Sequence, residues 1–154
     1  MKTQYILKNE SGTGTFYYSD KKMKKLHRED GPAEEYSDGT KYWYLNGQLH
    51  REDGPAEEFS DGTKSWYLNG QQHREDGPAI EWADGSKSWY LNGQRHREDG
   101  PAIEWADGTK HWYLNGKEVS KAVHARRTRK VPTINVNGKD FTVEELNALI
   151  ASVK

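Results

Sequence analysis

The chain has 154 residues, 31% of them charged, with a net charge of −1, a mean hydropathy of −1.14 and no cysteine. This composition excludes disulfides and thiolate metal sites, and no apolar run approaches the ~20 residues of a membrane-spanning helix. Aliphatic residues are too few for a compact multilayer core. Aromatic residues make up 12% of the chain, however, and each ring can bury roughly 150–250 Å², so a thin sheet can still hold together.

Residues 1–25 read as a degenerate N-terminal cap repeat. TQYILKN is strand-like, SGTG is a turn, and TFYYSD parallels a later KYWYLN. Lys21, Lys22, Lys24 and Lys25 follow, suited to guarding an edge strand. Residues 26–116 then carry one motif four times, at 26–48, 49–71, 72–94 and 95–116, beginning with LHREDGPAEEYSDGTKYWYLNGQ.

Asp-Gly recurs from Asp38-Gly39 and Asn-Gly from Asn46-Gly47, each between strand-like runs. Both dipeptides favour two-residue type I′ hairpin turns, because those need positive φ at two central residues. A two-residue Asp-Gly turn pairs Ser37 with Thr40, Tyr36 with Lys41, Glu35 with Tyr42 and Glu34 with Trp43. It predicts one face carrying Tyr36, Lys41, Trp43 and Leu45, with Ile80 and Ile103 opposite Trp89 and Trp112. The other face carries Ala33, Glu35, Ser37, Thr40 and Tyr44. Trp43, Trp66, Trp89 and Trp112 should form a ladder on the first face, and Tyr44, Tyr67, Tyr90 and Tyr113 a ladder on the second.

A 23-residue unit with an Asp-Gly turn, a KYWYLNG strand and a Gly-Pro-Ala element resembles the MORN repeat, in its divergent bacterial and viral form. The likeness spans residues 26–116, and 12–25 loosely. The usual unit has Gly-x-Gly after its Asn-Gly turn, where Arg-Glu-Asp-Gly-Pro stands here. The resemblance implies a row of β-hairpins in one long antiparallel sheet, and scaffold or dimerisation roles. It extends by analogy to an accessory or inhibitor protein of bacteria or their viruses.

After Gly116 the period stops. Residues 117–131 read as a basic connector. Residues 132–154 read as a hairpin, with strands 133–136 and 139–141 around Asn137-Gly138, followed by a helix. Thr142 and Glu145 form a capping box, with Phe141 and Leu146 as a hydrophobic staple. Val143, Leu146, Leu149, Ile150 and Val153 share one face of the helix, which either covers the end of the array or joins two copies.

The expected fold is therefore mainly β: an elongated single-layer antiparallel β-hairpin array with a short C-terminal hairpin and α-helix.

The recurring His-Arg-Glu-Asp could suggest metal or acid–base chemistry. Successive histidines sit two strand spacings apart, ~10 Å, too far to share a zinc ion. The competing reading pairs the Arg of one repeat with the Glu or Asp of the next. Carboxylate pairs such as Glu34/Glu35 recur with the fold, whereas a catalytic centre is a unique constellation. No phosphate loop, nucleophile elbow or dinucleotide fingerprint is present. We expect no enzyme, no catalytic residue, no metal and no cofactor.

Charge divides along the chain. Residues 26–116 hold 9 Lys+Arg against 18 Asp+Glu, while residues 1–25 hold 6 against 2 and residues 117–154 hold 8 against 4. The expected function is a cytoplasmic scaffold that binds a protein with a basic patch. The binding surface would use Tyr44, Tyr67, Tyr90 and Tyr113 with Glu35, Glu58, Glu81 and Glu104. Alternatives are anionic lipid binding, or nucleic-acid binding through Arg126, Arg127, Arg129 and Lys130. A homodimer through Leu146, Leu149, Ile150 and Val153 is a further option.

Overall fold

The computed structural model describes residues 5–8, 13–22, 24–129 and 133–152. It is mainly β, as expected. A repeated series of antiparallel hairpins builds one eleven-stranded sheet. After the strands Tyr5–Lys8 and Gly14–Tyr18, each repeat adds two more, from Glu34–Tyr36 and Lys41–Tyr42 to Ile103–Glu104 and Lys110–Leu114. Lys117–Val119 completes the order. In the first three repeats the second strand breaks at its tryptophan and resumes. Tyr44–Leu45, Tyr67–Leu68 and Tyr90–Leu91 then pair with Gln48–Leu49, Gln71–Gln72 and Gln94–Arg95 in separate two-stranded ribbons.

The Asn-Gly turns take the expected form: Asn46, Asn69, Asn92 and Asn115 lie at φ 50–53°, each followed by a glycine at positive φ. The Asp-Gly turns do not. Asp38 and its equivalents are absent from the left-handed region, and only the glycine, at φ 94° for Gly39, enters it. Tyr36 donates its N–H to Thr40 O, so Ser37, Asp38 and Gly39 form a three-residue loop. Such a loop is a type I turn closed by a glycine bulge. The Asp38 carboxylate holds it by accepting the Thr40 N–H at 2.8 Å.

One extra loop residue moves the register by one and exchanges the faces. Glu34 pairs with Tyr42 and Glu35 with Lys41. The expected pairings of Glu34 with Trp43, and of Ile80 and Ile103 with Trp89 and Trp112, are therefore corrected. Ile80 lies opposite Ser65 and Ser88, and Ile103 opposite Ser88 and His111.

Two cross-strand rows follow on one face. The first alternates charge as Glu35, Lys41, Glu58, Lys64, Glu81, Lys87, Glu104 and Lys110. The second alternates size: Trp43 donates its N–H to Ala56 O, Trp66 to Ala79 O and Trp89 to Ala102 O. Each alanine is wholly buried. The tryptophans share a row, but small residues separate them.

The Arg-Glu-Asp-Gly-Pro connector closes over this face as a clamp. Arg74 donates from Nε to Asp76 at 2.8 Å and from Nη1 to Pro78 O at 3.2 Å and Glu81 at 3.0 Å. Its guanidinium also lies 4.0 Å above the Trp66 ring of the preceding repeat. Arg51 and Arg97 repeat the arrangement on Trp43 and Trp89, and Arg28 repeats it on Tyr17. The expectation that arginine reaches the acids of the next repeat is thus corrected. The acids are its own, and the contact between repeats is cation–π stacking. A Cβ on Gly77 would meet Arg74 Cζ at 3.0 Å, which explains the glycine before the proline of each repeat. The histidines serve the turns, with Nδ1 of His27, His50, His73 and His96 accepting the N–H of Asn46, Asn69, Asn92 and Asn115.

Residues 117–131, expected as a connector, contain the strand Lys117–Val119 and a helix α1, Lys121–Arg127. His124 is buried on α1, and its Nε2 lies 2.6 Å from Arg97 O. Lys121 Nζ stands 5.9 Å from the Trp112 ring, where an arginine stacks in earlier units.

The chain divides into two compact units, 1–124 and 125–154. The second holds Thr133–Val136 paired with Lys139–Thr142, and helix α2, Val143–Ser152. The capping box forms as expected. Glu145 N–H donates to Thr142 Oγ1 at 3.1 Å, and Thr142 N–H to Glu145 Oε2 at 2.7 Å. No described helix is long and apolar enough to cross a membrane.

Candidate functional site

Sixteen of the 23 repeat positions are identical in all four copies. The seven that differ are those of Leu26, Glu34, Tyr36, Ser37, Thr40, Tyr42 and Gln48. Register sorts them. Ala33, Glu35, Lys41 and Trp43, on the clamped face, never change. Glu34, Tyr36, Thr40 and Tyr42 share the opposite face, and all four vary. The invariant face is engaged in holding repeats together, and the variable face is left free of the clamp.

The variable face is aromatic. Phe16, Tyr36, Tyr42 and Phe59 form an unbroken chain of edge-to-face contacts with centroids 5.7, 6.0 and 5.7 Å apart. Such pairs contribute about 0.5–1.5 kcal/mol each beyond their buried area. Farther along, Trp82 and Trp105 meet at 5.7 Å, and Trp105 is 40% exposed. From Phe16 a cross-strand row continues along this face through Glu34, Tyr42, Glu57, Ser65, Ile80, Ser88, Ile103 and His111.

The row changes character midway. In its first half Glu34 and Glu57 flank Tyr42. Both are half-buried, and burial pushes both carboxyls above the ordinary glutamate value. Tyr36 donates its hydroxyl to Glu34 Oε2 at 3.2 Å, and Ser65 lies directly across the ladder from Glu57, where its hydroxyl tempers the rise. No ion pair to either glutamate is present among the described residues. In the second half Ile80 and Ile103 take the same positions and are buried. Ser88 Oγ between them is buried without a hydrogen-bond partner among the described residues.

The expected site residues separate into distinct places. Tyr44 is half-buried near Glu34 and Glu57. Burial first, then those two carboxylates, pushes its hydroxyl up to about 12. Tyr67 is raised by burial and then by Glu57, and it accepts from Gln72 Nε2 at 3.2 Å. Tyr90 accepts from Arg95 Nε at 2.9 Å, and the Arg95 guanidinium lies 5.4 Å from the Tyr113 ring. The tyrosine row therefore borders the variable face.

Glu35, Glu58, Glu81 and Glu104 do not join it. They sit on the clamped face, each bonded to an arginine; Glu58, Glu81 and Glu104 are flanked by lysines on both sides, and Glu35 by Lys41 and Thr15. Strongly exposed carboxylates lie instead on the connecting loops, where Glu52 is 86% and Glu75 85% exposed.

Arg126, Arg127 and Arg129 are exposed, and Lys130 lies outside the described residues. On α2, Leu149 and Ile150 are exposed and Leu146 is half-buried, while Val153 lies outside the described residues. Glu34, Glu57, Phe59, Trp82 and Trp105 are absent from the site expected from sequence. The signal that marks them was available, since they occupy positions at which otherwise identical repeats disagree.

No family model, curated protein or solved structure matches the chain.

Proposed function

We propose that the chain is a non-enzymatic, MORN-like repeat scaffold of the cytoplasm that binds a protein partner across the variable face of its sheet. The observation behind this reading is the segregation of change. A repeat duplicated for architecture alone would drift on every solvated position. Here four of the seven differing positions fall on one face of the strands and none of Ala33, Glu35, Lys41 and Trp43 on the other face changes, and the variable face carries tyrosine, phenylalanine and tryptophan, the residues enriched at interface cores. The clamped face is occupied by contacts between repeats and has little freedom to specialise.

The test is affinity capture with three versions of the chain. The wild type and an E52A/E75A loop variant should retain the same partner. A W82A/W105A variant that keeps its circular dichroism and denaturation midpoint should lose it. Loss in the loop variant with retention in the tryptophan variant would place recognition on the acidic ridge and reject this reading.

A further inference from the structure

The variable face offers two different chemistries at a fixed separation. Four of the six sheet glutamates named above, Glu35, Glu58, Glu81 and Glu104, are each bonded to a clamp arginine. Glu34 and Glu57 have only hydroxyl partners among the described residues. Removing a carboxylate from water without a cation costs free energy. The fold does not demand that cost, because the third and fourth repeats hold isoleucine at the same position of the same frame. A charge that the backbone does not require, left half-buried beside aromatic rings, is complementary to a cation supplied from outside.

The other half of the face supplies the opposite character. Trp82 and Trp105 stand beside Ile80 and Ile103, and no carboxylate occurs in that part of the row. The centre of the first half is Tyr42, between its two glutamates; the centre of the second is Ser88, between its two isoleucines. Four strand steps separate them in the sheet order, or about 19 Å at ~4.8 Å per step.

We propose that this face recognises a single partner segment by two features: a lysine or arginine side chain taken between Glu34 and Glu57, and an apolar side chain about 19 Å away taken against Trp82 and Trp105. The inference rests on the protein-binding reading and adds the partner's chemistry to it. An extended segment crossing the strands covers that span in about six residues at ~3.3 Å each, and a helix in about thirteen at 1.5 Å. The raised carboxyls fit the same picture, since an arriving cation would restore the charge-stabilising surroundings that burial removes.

The experiment is selection of a displayed random peptide library, long enough to span either geometry, on the full-length chain. Three proteins are compared: wild type, E34Q/E57Q and W82A/W105A. Wild type should enrich peptides with Lys or Arg at a set distance from an apolar residue. E34Q/E57Q should lose the cationic enrichment and keep the apolar one; W82A/W105A should do the reverse.

A peptide selected on wild type should bind E34Q/E57Q at least tenfold more weakly. E57I, which installs the third repeat's own residue, should match E34Q/E57Q and guards against a folding artefact. Cationic enrichment unchanged in E34Q/E57Q would overturn the inference. If W82A/W105A still alters the selected pool, the protein-binding reading survives that result. Pools identical for all three proteins, or no enrichment on wild type, would overturn both.

Discussion

Truncating Arg74 to alanine tests the clamp on which the array depends. The guanidinium is 22% exposed and joins four groups. Its pair with Asp76 is weak because that carboxylate is 84% exposed to screening solvent. The Glu81 bond contributes about 1 kcal/mol after discounting for that residue's 38% exposure and its lysine neighbours Lys64 and Lys87. The Pro78 carbonyl, left without this donor, costs about 1 kcal/mol. Stacking on Trp66 adds about 1 kcal/mol.

The expected loss is about 3 kcal/mol, read from urea denaturation with an unchanged m value. Lysine at the same position keeps the charge but cannot make a planar fork or stack as a guanidinium does, so R74K should lose about 2 kcal/mol. An R74K midpoint within about 0.5 kcal/mol of wild type would show that charge alone holds the loop, and would refute the clamp.

Other expectations follow from single positions. Ser88 Oγ is buried and unpartnered, so S88A should stabilise the chain by about 1 kcal/mol, whereas S65A removes the hydroxyl that faces Glu57 across the ladder and holds its carboxyl down, and should not stabilise it. Asn69 lies at φ 51°; N69A should cost about 1 kcal/mol and N69G much less, by thermal denaturation.

Glu34 and Glu57 titrate above their ordinary value when folded, so the folded state binds their protons more tightly than the unfolded state does. Their ionisation therefore destabilises the fold in full above the raised folded values and not at all below the unfolded value, about 4.3. E34Q/E57Q should accordingly be more stable than wild type at pH 7, and the difference should shrink as pH falls through that window. A difference that is constant with pH would reject the burial argument.

The sequence was most legible where one residue pair permits one geometry. Asn-Gly at a hairpin specifies two positive φ values, and all four repeat turns obey. Asp-Gly serves two loops equally well, because the Asp38 side chain can hold a type I turn through the Thr40 N–H and leave only the glycine left-handed. The residue two positions after each aspartate donates the backbone N–H that closes this arrangement. Reading two loop residues for three exchanged the faces and put Glu35 beside Tyr44. The clamp was less accessible still. Asp76, Pro78 and Glu81 meet one guanidinium only because the loop doubles back, and periodicity does not report such a bend. Internal comparison of the four repeats needed no coordinates, but it became a statement about a surface only once the register was known.

The sameness of the clamps has a cost in folding specificity. Arg51, Arg74 and Arg97 each find a tryptophan with equal surroundings, so a chain that skips one unit and loops it out can form clamps of native chemistry. Two places break this degeneracy. Arg28 meets Tyr17 rather than a tryptophan, and Trp112 meets Lys121 on a helix rather than an arginine on a loop. The ends thereby fix the count of the units between them, and weakening either end should trap misaligned chains before it lowers the stability of correctly aligned ones.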